Sequence, residues 1–176
     1  MKNEIVKQKL LPLMLFFIVI ILDQFTKFLI VKNIPYGTVG VAFFGDFLQI
    51  VHARTLGAAF SIGSEFSNIG RFFSMCLLPL LVLLAIFVLY FTNKDFTFAQ
   101  RWFIMGLLGG GFGNLIDRFF RPNGVVDFID VKFFGLFGLE RWPTFNIADS
   151  AILICAFLMV IFILKDSFKN SNKKEV

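Results

Sequence analysis

Asp127, in Val125-Val126-Asp127-Phe128-Ile129-Asp130, and Asp149, in Phe145-Asn146-Ile147-Ala148-Asp149, are the residues of this chain best suited to chemistry. Both stand beside strongly apolar sequence, and Asp149 falls where a long apolar run begins. An ionisable group at membrane depth costs roughly 2.5–3.5 kcal/mol on the insertion scale, so it calls for a reason. Two carboxylates that meet cannot both ionise cheaply; one keeps a proton while the other acts as a base. Such a pair is the minimum equipment for hydrolysing an amide, one group activating water and the other protonating the forming oxyanion. Taken singly, each has a plainer role: Asp149 complements a helix N-terminus and Asp127 starts a turn. Asn146, three residues before Asp149 and on the same helical face, adds a polar partner and favours the chemical role.

Other polar residues interrupt apolar sequence. Asn114, Asp117 and Arg118 lie at i, i+3 and i+4, so they share a helix face. Asn114 suits a hydrogen bond to substrate backbone or to a carboxylate. Asp117 with Arg118 reads as a structural ion pair, because arginine cannot give up its proton. The preceding Gly109-Gly110-Gly111-Phe112-Gly113 reads as close helix packing. Asp23 and Lys27, at i and i+4, either neutralise each other or join Asn114 and Asp117 in one network. In Arg54-Thr55-Leu56-Gly57-Ala58-Ala59-Phe60-Ser61, small side chains let a peptide backbone approach while Arg54 or Thr55 binds its carbonyls; a packed turn is the plain alternative. Asp46 and Asp130 are expected to be solvated or structural.

These residues must be held by apolar elements. The 176-residue chain is 57% hydrophobic with 27 phenylalanines, and its mean hydropathy is +0.80, which indicates an all-α integral membrane protein of one domain over residues 1–167. About 20 apolar residues cross the hydrocarbon core as a helix. Four spans are predicted: Leu10 to Val31, Phe72 to Phe91 with a kink at Pro79, Phe98 to Phe119, and Ala148 to Leu164. The first lacks a small-x-small cleavage site and continues into Asp23 and Lys27, so it reads as a retained span. Between the first two spans, Val39 to Ile50 has strand character, which predicts a small sheet on the membrane surface, and Ser64 to Arg71 a short interfacial helix. Trp102 and Trp142 read as interfacial anchors. Residues 168–176 read as a polar, disordered tail.

Charge sets the direction. The two termini and the short turn between spans two and three carry nine basic residues against seven in the two longer loops, which favours both termini on the cytoplasmic side. Asp23, Asn114, Asp117, Arg118 and Asp149 then converge on one level, the outer interface. The net charge of +5 is scattered and flanks apolar runs, which points to membrane lipids rather than nucleic acid as partner. His52 is the only histidine and has no cysteine or second histidine beside it, so neither metal nor other cofactor is expected. Cys76 and Cys155 sit in apolar runs and read as small buried hydrophobes.

The blocks Asp23-Gln24-Phe25-Thr26-Lys27, Gly57-Ala58-Ala59-Phe60-Ser61, Gly113-Asn114-Leu115-Ile116-Asp117-Arg118, Val125 to Asp130 and Phe145 to Asp149 together resemble bacterial lipoprotein signal peptidase, or signal peptidase II. The resemblance covers about residues 10–165 in the expected order. It implies a four-helix inner-membrane aspartic peptidase, acting as a monomer, with a small extracytoplasmic sheet and a helix over the site. The implied substrate is a diacylglyceryl-modified prolipoprotein, cut just before the lipid-bearing cysteine. The family's catalytic pair falls on Asp127 and Asp149, and its supporting residues on Asp23, Lys27, Asn114, Arg118 and Asn146. Thr55 stands where the family usually has asparagine; it keeps a hydroxyl donor and acceptor but lacks the second amide donor. Two other classes compete: a proton- or cation-coupled transporter, whose sites usually lie at the midplane between repeats, and a scaffold, which would tolerate Asp-to-Asn changes.

Overall fold

The computed structural model describes residues 2–57 and 67–172. In chain order the elements are α1 (Lys2–Leu10), α2 (Leu13–Asn33), β1 (Val39–Phe43), β2 (Leu48–Thr55), α3 (Asn68–Arg71), a π-helical turn (Phe72–Leu77), α4 (Leu78–Thr92), α5 (Phe98–Phe120), β3 (Val125–Val131), a 3-10 turn (Leu136–Gly138) and α6 (Ile147–Asn172).

Three helices are long and apolar enough to cross a membrane: Val6–Asn33, Ile69–Thr92 and Ile147–Phe168. Their outward side chains are large, apolar and uncovered, among them Phe17, Ile21 and Phe25 on α2 and Leu153 and Phe157 on α6. Such continuous surface requires hydrocarbon rather than water. The predicted interfacial helix begins as α3, and its residues 64–66 lie outside the described residues. From α3 the chain runs directly through the π turn into α4. Pro79 explains that turn: lacking an N–H and clashing with the carbonyl four residues back, it cannot continue a regular α-helix. The Leu78 N–H accordingly reaches back five residues to the Phe73 carbonyl.

The remaining long helix, α5, does not reach the same apolarity, because its neighbours are protein. It packs against α2, α4 and α6 and buries Arg101, Met105, Leu108, Asn114 and Asp117. A capping box starts it, with the Thr97 hydroxyl accepting from the Gln100 N–H and the Gln100 side chain accepting from the Thr97 N–H. It stops at Arg121, whose extended backbone is what a following proline requires. Two glycines let its neighbours close in. A Cβ at Gly110 would strike the Ala148 carbonyl of α6, and one at Gly113 would lie 2.9 Å from Asp23 Oδ2 of α2.

The three strands form one antiparallel sheet in the order β1-β2-β3. Val126 and Phe128 of β3 bury against Ile30 of α2, which pins the sheet to one end of the bundle. The chain after β3 returns alongside it through the bridges Lys132↔Arg141 and Ile129↔Phe145, delivering Asn146 and α6 next to β3. The sheet tip is tied by Lys132–Asp46 at 2.9 Å and Arg141–Asp130 at 2.7 Å; of the solvated or structural roles expected, Asp130 takes the structural one and half-exposed Asp46 combines both. At the other end α6 stays helical through Asn172, past the start of the expected disordered tail; residues 173–176 lie outside the described residues. Cys76 and Cys155 are buried and unpaired.

Candidate active site

Asp127 and Asp149 reach the same place from different elements. Ala53 of β2 pairs opposite Asp127, and Thr55, two residues on, lies on the same face of the sheet. That diagonal puts the Thr55 hydroxyl 2.6 Å from Asp127 Oδ2. Asp149 is in the first turn of α6, where Asn146 and Asp149 close a reciprocal cap. The Asp149 N–H donates to Asn146 Oδ1 at 2.9 Å and the Asn146 N–H donates to Asp149 Oδ2 at 3.2 Å. The plain capping role is therefore real, and it coexists with a second one. The same Asn146 side chain donates to Asp127 Oδ1 at 2.7 Å, so one residue holds both carboxylates, Asp127 by its side-chain NH2 and Asp149 by its backbone N–H.

Behind the acids lies a buried polar network. Asn114 of α5 donates to Asp149 Oδ1 at 2.7 Å and accepts from Lys27 Nζ at 3.0 Å and Asn146 Nδ2 at 3.1 Å. Lys27 also meets Asp23 at 2.8 Å and Asp117 at 3.1 Å, so all three of its N–H donors are used with no exposure on any of the three side chains. Asp23 additionally accepts from the Ala148 N–H and Asp117 from the Val126 N–H, each at 3.0 Å. Two anions thus tie the start of α6 and of β3 to α2 and α5. Buried charges persist only when paired and hydrogen-bonded, and these are.

Two expectations change. Asp117 pairs with Lys27 and with Arg121 at 3.1 Å, not with Arg118. Adjacent helix residues project about 100° apart, whereas Arg121 follows at i+4 on the same face. Arg118 instead turns toward the acids, its guanidinium donating to the Gly57 carbonyl at 3.4 Å while Nε has no partner among the described residues. Arg54 projects from the other face of β2, its Nε 3.2 Å from His52 Nε2, and does not line the site. Residues 58–61, the rest of that small-residue segment, lie outside the described residues. Gln24 joins the network without having stood out in the sequence. Its amide bonds to Asp23, Asp117 and the Gly113 carbonyl at 2.9–3.1 Å, and its one signal was position, a polar residue beside Asp23 in an apolar run.

Both acids line a cavity of about 600 Å³, with Thr55, Gly57, Asn114 and Arg118 around them and Trp142, Phe145, Leu153 and Ile154 forming its apolar walls. Leu153 and Ile154 also face outward from α6, so the cavity joins the bilayer-facing surface. Burial pushes the Asp127 carboxyl from 3.8 up to about 6, and the Asp149 charge pushes the same way; hydrogen bonds from Thr55 and Asn146 and the Lys27 charge oppose it. Among the described residues no group of three His, Cys, Asp or Glu side chains is arranged to hold a metal ion.

Residues 15–165 match the family Signal peptidase (SPase) II. The chain belongs to that family. It is similar to the lipoprotein signal peptidase of Treponema pallidum (strain Nichols), 47% identical over 171 residues, covering 97% of this chain and 92% of that one. The lipoprotein signal peptidase of Borrelia turicatae (strain 91E135) is 46% identical over 155 residues, 88% of this chain and 90% of that one. A solved bacterial membrane enzyme, determined by the in meso method, superimposes with a TM-score of 0.73 at 31% identity, covering 89% of this chain and 88% of that chain.

Proposed function

We propose that this protein removes the signal peptide from diacylglyceryl-modified prolipoproteins, hydrolysing the peptide bond just before the lipid-bearing cysteine, with Asp127 and Asp149 as the catalytic acid–base pair. The observation that carries this is the joined pair of carboxylates at a cavity walled on one side by bilayer-facing residues. A diacylglyceryl substrate keeps its acyl chains in hydrocarbon, so its scissile bond is confined near the interface. Leu153 and Ile154 offer the acyl chains an apolar approach, and the polar wall receives the peptide. One carboxylate takes a proton from water, the water oxygen attacks the scissile carbonyl, and the protonated partner supplies the oxyanion with its proton. Collapse then breaks the C–N bond as the proton taken from water passes to the departing cysteine nitrogen and the new carboxyl group returns the other proton to the carboxylate that gave it. Arg118, whose buried Nε–H has no partner among the described residues, supports the substrate backbone.

α5 is the fourth span. At 23 residues it is about 34 Å long, enough for a hydrocarbon core of about 30 Å. Both termini then face the cytoplasm, with the site at the outer face of the inner membrane and a single chain as the active unit. The test is a cleavage assay in detergent on matched precursor peptides with and without the diacylglyceryl group. Cleavage confined to the lipidated peptide, before its cysteine, supports the proposal; cleavage of neither contradicts it.

A further inference from the structure

We infer that Thr55 is a positioning residue: its reversible hydroxyl lets the dyad's resting proton sit on Asp127 Oδ2 and supports the carboxylate left when that proton is given up, leaving Asp149 as the base that activates water. This inference rests on the acid–base pair proposed above and divides the labour within it.

The assignment follows from which partners can reverse. The Lys27 ammonium has only hydrogens to offer, so the Asn114 oxygen must face it and the Asn114 NH2 must face Asp149. The Asp149 N–H likewise fixes the Asn146 oxygen, which turns the Asn146 NH2 to Asp127 Oδ1. Asp149 therefore receives an N–H on each oxygen, from Asn114 at 2.7 Å and the Asn146 backbone at 3.2 Å. Neither donor can turn round to accept a proton, so both favour the carboxylate. Asp127 receives a fixed N–H on Oδ1 alone. Its Oδ2 meets a hydroxyl, and a hydroxyl can accept as well as donate.

At rest the Oδ2–H donates to Thr55 Oγ1. When a substrate carbonyl takes that proton, the Thr55 hydroxyl rotates and donates to Oδ2, so the new carboxylate is never without a partner. The charged groups facing Asp127 are Asp149 of α6, Lys27 of α2 and Arg118 of α5. The two cations help the ionised form of Asp127, whereas burial and Asp149 favour its protonated form and raise its carboxyl.

A hydrogen bond to a charged group is roughly twice as strong as one between neutral groups, so Thr55 stabilises ionised Asp127 more than protonated Asp127. Removing the hydroxyl should therefore raise the point at which Asp127 loses its proton. The experiment measures the pH profile of kcat/KM for lipidated-peptide cleavage by full-length wild type, Thr55→Val and Thr55→Ser. For Thr55→Val the alkaline limb should move up by about half to one pH unit and the rate should fall about tenfold; Thr55→Ser should return both toward wild type. A Thr55→Val profile that superimposes on wild type, or moves to lower pH, overturns the inference. A second measurement needs no substitution at Thr55: the infrared carbonyl band of the protonated carboxyl at about pH 5, below the raised Asp127 value, should vanish in Asp127→Asn and persist in Asp149→Asn. The reverse assigns the proton to Asp149 and overturns the inference. Cleavage surviving in both Asn variants would instead remove the acid–base pair itself.

Discussion

The 3.0 Å hydrogen bond from Lys27 Nζ to Asn114 Oδ1 decides which end of the Asn114 amide faces Asp149. A lysine buried between helices and outside the cavity lining thereby orients a group at the cavity. The same ammonium pairs with Asp23 and Asp117, so one residue supports both the fold and the site.

Lys27→Met should accordingly leave buried Asp23 without a cation and Asp117 with Arg121 alone. Breaking a buried pair by removing one partner costs about 3–5 kcal/mol. A large loss of thermal stability in detergent is expected, partly restored by adding Asp23→Asn. A Lys27→Met protein as stable as wild type would show that the acids are not ionised there.

Asp127→Asn should behave differently. A carboxyl raised from 3.8 to about 6 on folding makes the ionised form costly, by up to about 3 kcal/mol. That stability is present below pH 3.8, where both folded and unfolded chains are protonated, and is lost as pH rises through about 6. The uncharged amide of the Asp127→Asn variant avoids the loss, so the variant should be more stable than wild type at pH 7–8, with the gain shrinking toward pH 4. Unfolding measured at several pH values checks it; a constant difference across pH would contradict the raised value.

Asn146→Ala removes the side-chain bond to Asp127 and the side-chain half of the α6 cap, and keeps the backbone N–H that donates to Asp149. The missing cap should cost about 1 kcal/mol, and each buried partner of the Asn146 side chain left unsatisfied about 1–3 kcal/mol more. Misplacing an acid–base pair should cost about a hundredfold or more in kcat. A fall in kcat at little-changed KM, measured below the lowered unfolding midpoint of the variant, is the expected split.

Gly110→Ala tests how closely α5 and α6 must approach. The added methyl meets the backbone carbonyl of Ala148, which cannot rotate away, and overpacking of this kind costs about 1–3 kcal/mol. A lower midpoint of thermal unfolding should accompany reduced cleavage. Unchanged stability would mean that the helices have room to part.

Much of this was legible because the physics is local. Asp23 and Lys27 announce a pair by i, i+4 spacing in an apolar run, and they are found paired. Asn146 and Asp149 announce a cap by spacing at the start of a helix, and the cap is present. What was hidden depends on the third dimension. Arg118 follows Asp117 in sequence yet points elsewhere, because helix geometry separates neighbours. The diagonal contact of Thr55 with Asp127 requires the register of β2 on β3, which shifts between Ile50 and Ala53 and which no single strand pattern encodes. The modest apolarity of α5 also has a tertiary cause: other helices surround it in place of lipid.

The most direct measurement is kcat for lipidated-precursor cleavage by Asp127→Asn and Asp149→Asn, each shown to be folded by its thermal unfolding transition. Both variants should lose at least about a thousandfold of the wild-type rate, because each lacks one half of a proton-transfer pair. Near-normal cleavage by either folded variant would contradict the two-carboxylate mechanism.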